Sequence, residues 1–295
     1  MDNGNNNERD MPALYSGKTV VVKYGGAAMQ SGGFKRGAME DVAWLAAAGA
    51  RVLLVHGGGP ELSALQRRLG METKFADGVR YTDAETMDAV FMALCGKVNK
   101  GLVQLIQNAG GRAAGLSGID GGILRCVKKT KPDLGFVGEI TKVDTGLLDA
   151  VLEAGYVPVI STAALGEDGF AYNVNADTAA GSIAAALRAD LFITMSDIPG
   201  VLRNVGDASS LIANVRADEI EGLIAAGTIS GGMIPKARGL RDAVAAGVLA
   251  AKIIDGRRPR ALRDALAGKA GGGTTIAQAQ PQSPPGISAA TEATI

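Results

Sequence analysis

The segment Val52-Leu53-Leu54-Val55-His56-Gly57-Gly58-Gly59-Pro60, continued by ELSALQRRLG over residues 61–70, joins three signals in one place. Its apolar beginning has the length and character of a strand covered on both faces. The three glycines let backbone N–H groups approach a negative ligand closely, and the positive end of the following helix dipole reinforces that attraction. Pro60 suits the first turn of that helix, because the N–H it lacks would have no intrahelical partner there. His56 has no acidic orienting residue nearby in sequence, so it reads as a structural hydrogen-bonding residue and not as a base.

The same unit recurs outward in both directions. TVVVKY (19–24), YVPVIS (156–161), LFITM (191–195) and AKIID (251–255) are short, nearly continuous apolar runs, each followed by glycines or polar turn residues and then a helical pattern. Alternating β and α elements imply an α/β fold with a mainly parallel central sheet and helices on both faces. The clearest helix opens at Thr82, with Glu85 three residues on completing a capping box. Met87, Val90, Phe91, Leu94, Val98, Leu102 and Leu105 then recur at helical spacing. ILRCVKK and GEITKVD, between Gly121 and Val143, alternate instead and predict an antiparallel ribbon. Both ends, Met1 to Asp10 and Ala277 to Ile295, are too polar to order themselves.

Composition narrows the chemistry. Of 295 residues, 30 are Lys or Arg and 30 are Asp or Glu, so the chain lacks the electrostatic footprint expected for nucleic acid or an anionic membrane surface. One histidine and two cysteines, Cys95 and Cys126, cannot build a structural zinc site or a disulfide framework, and they suit a reducing, cytoplasmic setting. No apolar run approaches the ~18 residues of a membrane span, and the N-terminus lacks a signal-peptide layout.

Ligands of such sheets bind beyond the carboxyl ends of the strands, where this sequence gathers its unusual residues. The first strand ends in Lys23-Tyr24-Gly25-Gly26. A lysine within an apolar strand either snorkels from an edge or meets an anion, and paired glycines favour the anion. Asn173-Val174-Asn175-Ala176-Asp177-Thr178 precedes the helix TAAGSIAAAL; a cap explains one Asn or Asp, but not three in five positions. LFITM runs into Ser196-Asp197-Ile198-Pro199-Gly200-Val201-Leu202, and Gly231-Gly232-Met233-Ile234-Pro235-Lys236 delivers a second lysine. Two familiar phosphate motifs fail: Gly17-Lys18-Thr19 has Pro12 where a P-loop needs its first glycine, and no GxGxxG follows a strand.

Taken in order, VVVKYGGAAM, VHGGGPEL, GVRYTDAETMDAV, GKVNKGLVQLI, GLSGIDGG, YNVNADTAAG, MSDIPGVL and GGMIPK resemble the acetylglutamate kinase branch of the amino-acid kinase family, from about Gly17 to Ile276. The resemblance implies a three-layer αβα sandwich of two lobes: an acyl-substrate lobe over 17–188 and an ATP lobe over 189–276, flanked by an N-terminal segment (1–16) and a polar tail (277–295). It implies ATP with Mg2+ as cofactors and phosphorylation of the side-chain carboxylate of N-acetylglutamate. By motif, Lys23 and Lys236 would flank the transferred phosphoryl group and Asp177 would hold the lysines. Gly25, Gly26, Gly58 and Gly59 would surround the phosphates and substrate with backbone donors, and Arg80 and Asn173 would grip the acyl amino acid. Asp197, Ile198, Pro199, Gly200, Val201 and Leu202, with Thr228, Ile229 and Ser230, would line the nucleotide pocket; no protein metal ligands are expected. A carboxylate acceptor is already ionised at pH 7, which suits a chain with one histidine.

Departures from the pattern shape further expectations. Asn-rich sequence and Pro12 occupy the place of the N-terminal helix that joins regulated members into hexamers, and Ala270 stands where a glutamate often precedes the Gly271-Gly272-Gly273-Thr274 run. A homodimer with weak or absent arginine inhibition is therefore expected. Ile119 replaces a common lysine, and no feature speaks for a nitrogen-signalling partner. Two alternatives stand beside this reading: a kinase for N-acetyl- or carrier-linked aminoadipate, and a catalytically silent nucleotide-binding regulator.

Overall fold

The computed structural model describes residues 14–29, 32–76, 78–204, 206–269 and 271–278. The expectations for Met1 to Asp10, for Pro12, for Ala270 and for the tail beyond 278 fall outside them. Eight strands form the central sheet: β1 (Thr19–Tyr24), β2 (Arg51–His56), β5 (Ala113–Ser117), β8 (Val157–Ser161), β11 (Leu191–Ser196), β12 (Asn214–Arg216), β13 (Ala250–Asp255) and β14 (Thr274–Ala277). Their spatial order is β12-β14-β13-β11-β1-β2-β8-β5, and all neighbours run parallel except β13 and β14.

Alternation along each strand divides the core in two. Val21, Leu53, Val55, Phe192 and Ile253 face a layer that includes α5 (Ala176–Ala186) and α7 (Met233–Ala245), from which Ala179, Ile183, Leu240 and Val244 are buried against them. Val20, Val22, Leu54, Ile193 and Met195 face the other way, onto α1 (Gly32–Ala47), the end of α3 (Ala84–Asn108) and α8 (Ala261–Leu266). The molecule is thus the expected three-layer αβα sandwich with a mainly parallel sheet. The sheet is continuous through the boundary expected between the lobes, because β1 pairs with β11 from Val20–Leu191 to Tyr24–Met195.

Two smaller pieces lie over one end of this frame. The short strands β3 (Phe75–Ala76) and β4 (Val79–Arg80) form a hairpin, while β6 (Leu124–Thr130), β7 (Asp133–Val143), β9 (Ala163–Gly166) and β10 (Ala171–Asn173) close on one another as a small barrel. The antiparallel pairing of β6 and β7 matches the ribbon expected from their alternation.

The long helix α3 modifies two expectations. Its N-cap is Asp83, whose side chain accepts the Thr86 N–H at 2.8 Å; Thr82 lies one residue too early and instead donates its hydroxyl to the Arg80 carbonyl. The helix is also long and apolar enough to cross a bilayer by length and composition, contrary to the sequence expectation, since an average over a long window tolerates isolated charges such as Lys97. Here its stripe is used inside the fold: Met87, Val90, Leu94, Val98, Leu102 and Ile106 are buried, while Phe91 is 37% exposed. A π-helical stretch, Phe91–Val98, interrupts the helix; beyond it Leu102 and Ile106 are buried, and Leu105 is half-buried against the same core.

Candidate active site

The carboxyl ends of β2, β1 and β11 lie side by side, because Tyr24 is in register with both His56 and Met195. The turns that follow therefore open along one edge: Gly25-Gly26, Gly57-Gly58-Gly59, and Asp197 to Leu202. Gly25 keeps this edge clear, since a β-carbon there would stand 3.3 Å from both Cε and Nζ of Lys23. Gly58 is required more strictly. Its φ of 153° places a β-carbon 2.5 Å from Leu94 Cδ2, so only glycine lets the turn pass under α3. Gly58 caps α2 (Gly59–Arg68), with Pro60 in the first turn as the sequence predicted.

Alternation in β1 puts Lys23 on the same face as Val21, the face covered by α5. The first turn of α5 carries Asp177, and the first turn of α7 carries Lys236. Lys23 Nζ stands 2.9 Å from Asp177 Oδ1, and Lys236 Nζ stands 3.6 Å from Asp177 Oδ2. Two lysines more than 200 positions apart thus meet on one carboxylate. Burial lowers the pKa of Lys23, whose side chain is only 6% exposed; Asp177 pulls it back up and Lys236 pushes it down. Burial works upward on Asp177, but the two ammonium groups outweigh it and hold the carboxyl below its usual range. The trio carries a net positive charge, reinforced by the N-terminal ends of α5 and α7.

Two of the cavities beside this bridge are lined by the residues singled out in the sequence. One, of about 470 Å³, is lined by Gly57, Gly58, Gly59, Arg80 and Asn173, with Asn175, Ala176 and Thr178 at the start of α5. Arg80 is buried, which lowers its pKa. It donates from Nη1 to Gln66 Oε1 and from Nη2 to the Gly59 carbonyl (3.1 Å) and Ser63 Oγ (2.8 Å), and its guanidinium lies 4.7 Å from the Phe75 ring centre. Asn173 donates to Thr82 Oγ1 at 3.3 Å. The Gly57 N–H is already given to the Tyr24 carbonyl at 3.0 Å, which leaves the N–H groups of Gly58, Gly59 and the first turn of α2 as the donors of this turn.

The second cavity, of about 380 Å³, is lined by Asp197, Ile198, Pro199, Gly200, Val201 and Leu202 on one side and Thr228, Ser230 and Lys236 on the other. Ile229 does not join them. It is 1% exposed and belongs to the core, because the bend after the preceding helix folds back, the Ile229 N–H donating to the Leu223 carbonyl at 3.1 Å, and turns its side chain inward. Thr274 holds the loop from behind. Its Oγ accepts the Val201 N–H at 2.8 Å and donates to the Ile212 carbonyl at 2.7 Å, while the φ of 142° at Gly200 lets the backbone pass Thr274.

The three polar residues 173, 175 and 177 have separate jobs. Asn173 faces the first cavity, Asp177 bridges the lysines, and Asn175 is the N-cap of α5, accepting the Asp177 and Thr178 N–H groups at 2.9 and 3.1 Å. His56 is fully buried, hydrogen-bonded through Nδ1 to the Gly57 carbonyl (2.7 Å) and through Nε2 to Asn99 (3.1 Å). Burial pushes its pKa down to about 4, which makes it neutral scaffolding. Ile119, in place of the common lysine, packs against the small apolar cluster around Leu62 and Leu94. Sequence reasoning missed the walls of the first cavity, among them Leu62, Phe75, Lys129 and Glu139. Nothing in their spacing marks them; hairpin and ribbon bring them there.

Among the described residues no group of three His, Cys, Asp or Glu side chains is placed to hold a metal. Asp177 has both oxygens in ion pairs, and Asp197 Oδ1 accepts the Ser196 hydroxyl at 3.1 Å. Such a donor set fits a hard cation carried mainly by phosphate oxygens, as magnesium usually is, and not one caged by protein.

Comparison with known proteins agrees with this architecture. A sequence profile of the Amino acid kinase family matches residues 18–255. The chain is 48% identical over 263 residues to an acetylglutamate kinase of Clostridium kluyveri, covering 89% of this chain and 93% of that one. It is 48% identical over 259 residues to the acetylglutamate kinase of Desulfitobacterium hafniense, covering 84% and 87%. Among solved structures, N-acetylglutamate synthase from Neisseria gonorrhoeae, complexed with coenzyme A and N-acetyl-glutamate, superposes with a TM-score of 0.80 at 23% identity, over 93% of this chain and 62% of that longer one. Carbamate kinase from Giardia lamblia bound to AMP-PNP gives a TM-score of 0.67 at 20% identity, over 90% and 100%; at these identities the likeness is one of fold.

Proposed function

The chain belongs to the amino-acid kinase family, and from that premise we propose that it transfers the γ-phosphoryl group of ATP to the side-chain carboxylate of N-acetyl-L-glutamate. The product is N-acetyl-L-glutamyl 5-phosphate, and the reaction belongs to arginine biosynthesis. The observation that carries this reading is the Lys23–Asp177–Lys236 bridge between two cavities. We assign the acyl substrate to the cavity of Arg80 and Asn173 and the nucleotide to that of Asp197 to Leu202.

The chemistry follows from charge. A side-chain carboxylate with a pKa of about 4.3 is ionised at neutral pH, so the acceptor needs no base. The obstacle is the approach of this anion to a phosphate already negative, and the spread of charge in a loose transition state. Lys23 and Lys236 would flank the migrating phosphoryl group, with Asp177 fixing both ammonium groups. The N–H groups of Gly26, Gly58 and Gly59 would add preorganised donors, with Gly25 leaving room for Lys23 beside the phosphates. Arg80 would offer the non-reacting carboxylate its positive charge and the N–H groups that it does not give to Gln66, Gly59 and Ser63, assisted by Asn173. Magnesium would arrive on the phosphates of ATP and neutralise part of their charge.

Trapping the acyl phosphate with hydroxylamine tests the reading. N-acetylglutamate should give hydroxamate, with little from glutamate, aspartate or N-acetyl-aminoadipate. A preference for N-acetyl-aminoadipate would replace the substrate assignment, and no product from any acceptor would leave a silent nucleotide-binding protein. We place the enzyme in the cytoplasm as a homodimer with weak or absent arginine inhibition, and divide the chain into an acyl lobe (17–188) and a nucleotide lobe (189–276). The two free cysteines and the biosynthetic relatives support the compartment.

A further inference from the structure

The acyl cavity has a second cation on its wall that the reaction above does not use. Lys129 lies on β6 where the ribbon comes apart. Up to Lys128 the strand keeps β7 opposite it, with Lys128 facing Gly138; the register then jumps, and Thr130 faces Asp133. The β7 residues in between pair elsewhere, Val137 with Asn173 and Gly135 with Thr82. An irregularity of this kind re-aims a side chain away from plain alternation. Lys128 turns out to Asp133, 2.9 Å away, whereas Lys129 lines the cavity shared with Arg80 and Asn173.

The ammonium of Lys129 is available to a ligand. Among the described residues its ion-pair partner is Glu139, whose Oε1 is 3.8 Å from Nζ, too far for a hydrogen bond, and no described residue accepts a hydrogen bond from it. Arg80 differs, since its Nη1 and Nη2 already donate to Gln66, Gly59 and Ser63. The substrate proposed above carries two carboxylates and a neutral amide nitrogen, whereas an unacylated amino acid carries an ammonium in that position. A lysine on the wall attracts the first and repels the second.

We infer that Lys129 is a specificity-determining residue: it shares the non-reacting carboxylate of the N-acylated substrate with Arg80 and turns away amino acids whose nitrogen is free. Glu139 holds the ammonium nearby without saturating it. The inference rests on the proposed reaction, and the test separates the two.

Steady-state rates would be measured for the wild type, Lys129→Met, Lys129→Arg and Glu139→Gln, varying N-acetylglutamate, glutamate and ATP, with thermal melting recorded for each. Lys129→Met should raise KM for N-acetylglutamate about tenfold, the worth of one charge-assisted hydrogen bond. It should leave kcat, KM for ATP and melting unchanged and narrow the preference for N-acetylglutamate over glutamate. Lys129→Arg should restore most of the loss, and Glu139→Gln should not raise KM. An active wild type with an unmoved KM in Lys129→Met overturns the inference alone, as does a loss confined to kcat and melting that arginine does not restore. A wild type inactive on N-acetylglutamate overturns the proposed reaction and this inference with it.

Discussion

At the scale of single residues, the site is a problem of holding two like charges close together. Lys23 is nearly enclosed, and its ammonium is tolerated because Asp177 lies 2.9 Å away. Replacing Lys23 or Lys236 with alanine should lower kcat by about 10²–10³-fold, the cost typical of losing one transition-state donor, with melting little changed; near-normal turnover in either variant would remove its assigned role. The pH profile tests the same bridge. Burial already lowers the Lys23 pKa, and Asp177 opposes that shift. Asp177→Asn removes the opposing charge, so Lys23 loses its proton at lower pH and the alkaline limb of residual kcat should move to lower pH. His56 gives a stability test. Folded, it stays neutral down to about pH 4, whereas the unfolded chain binds a proton near 6.5. Stability should therefore fall as pH drops from about 6.5 to about 4, and thermal melts of His56→Gln should lose that slope. Lys23 and Asp177 were legible as candidates because paired glycines beside a strand lysine favour an anion over snorkelling, and a cap accounts for only one of the three polar residues at the helix start. Lys129 was not, because its aim depends on a register break.

At the scale of elements, turns and caps set the positions of the charged groups. Asn175 caps α5 and so fixes the first turn that presents Asp177. Asn175→Ala should cost about 1 kcal/mol of stability in denaturant melts and also reduce kcat. Gly58→Ala forces both an unfavourable φ and a clash with Leu94, so a loss of about 1–3 kcal/mol is expected, partly relieved by adding Leu94→Ala. Behind the nucleotide loop, Thr274→Val leaves the Val201 N–H without its acceptor; KM for ATP should rise about tenfold while KM for the acyl substrate stays put. Five of the eight central strands, the ribbon and the glycine turns were readable from local runs of apolar and glycine residues; β5, β12 and β14 were not, being short or carrying no continuous apolar run. The start of α3 was misplaced by one residue, because Thr82 and Asp83 are both good caps and only the path of the chain selects Asp83.

At the scale of the whole molecule, one sheet carries both cavities, and strand order brings β2, β1 and β11 together at its centre. Light scattering should give twice the chain mass if the homodimer holds, and turnover should persist at millimolar arginine; a hexamer or strong inhibition would refute those assignments. The sequence by itself determined the layers, the glycine turns and the identity of the charged residues, since each follows from local patterns of apolar, glycine and polar positions. Only the tertiary structure decided that Lys23 and Lys236 share Asp177, that Ile229 turns inward, and that Lys129 joins the acyl wall. Those outcomes depend on which distant segments become neighbours and in what register, and spacing along a chain does not encode distance across a fold.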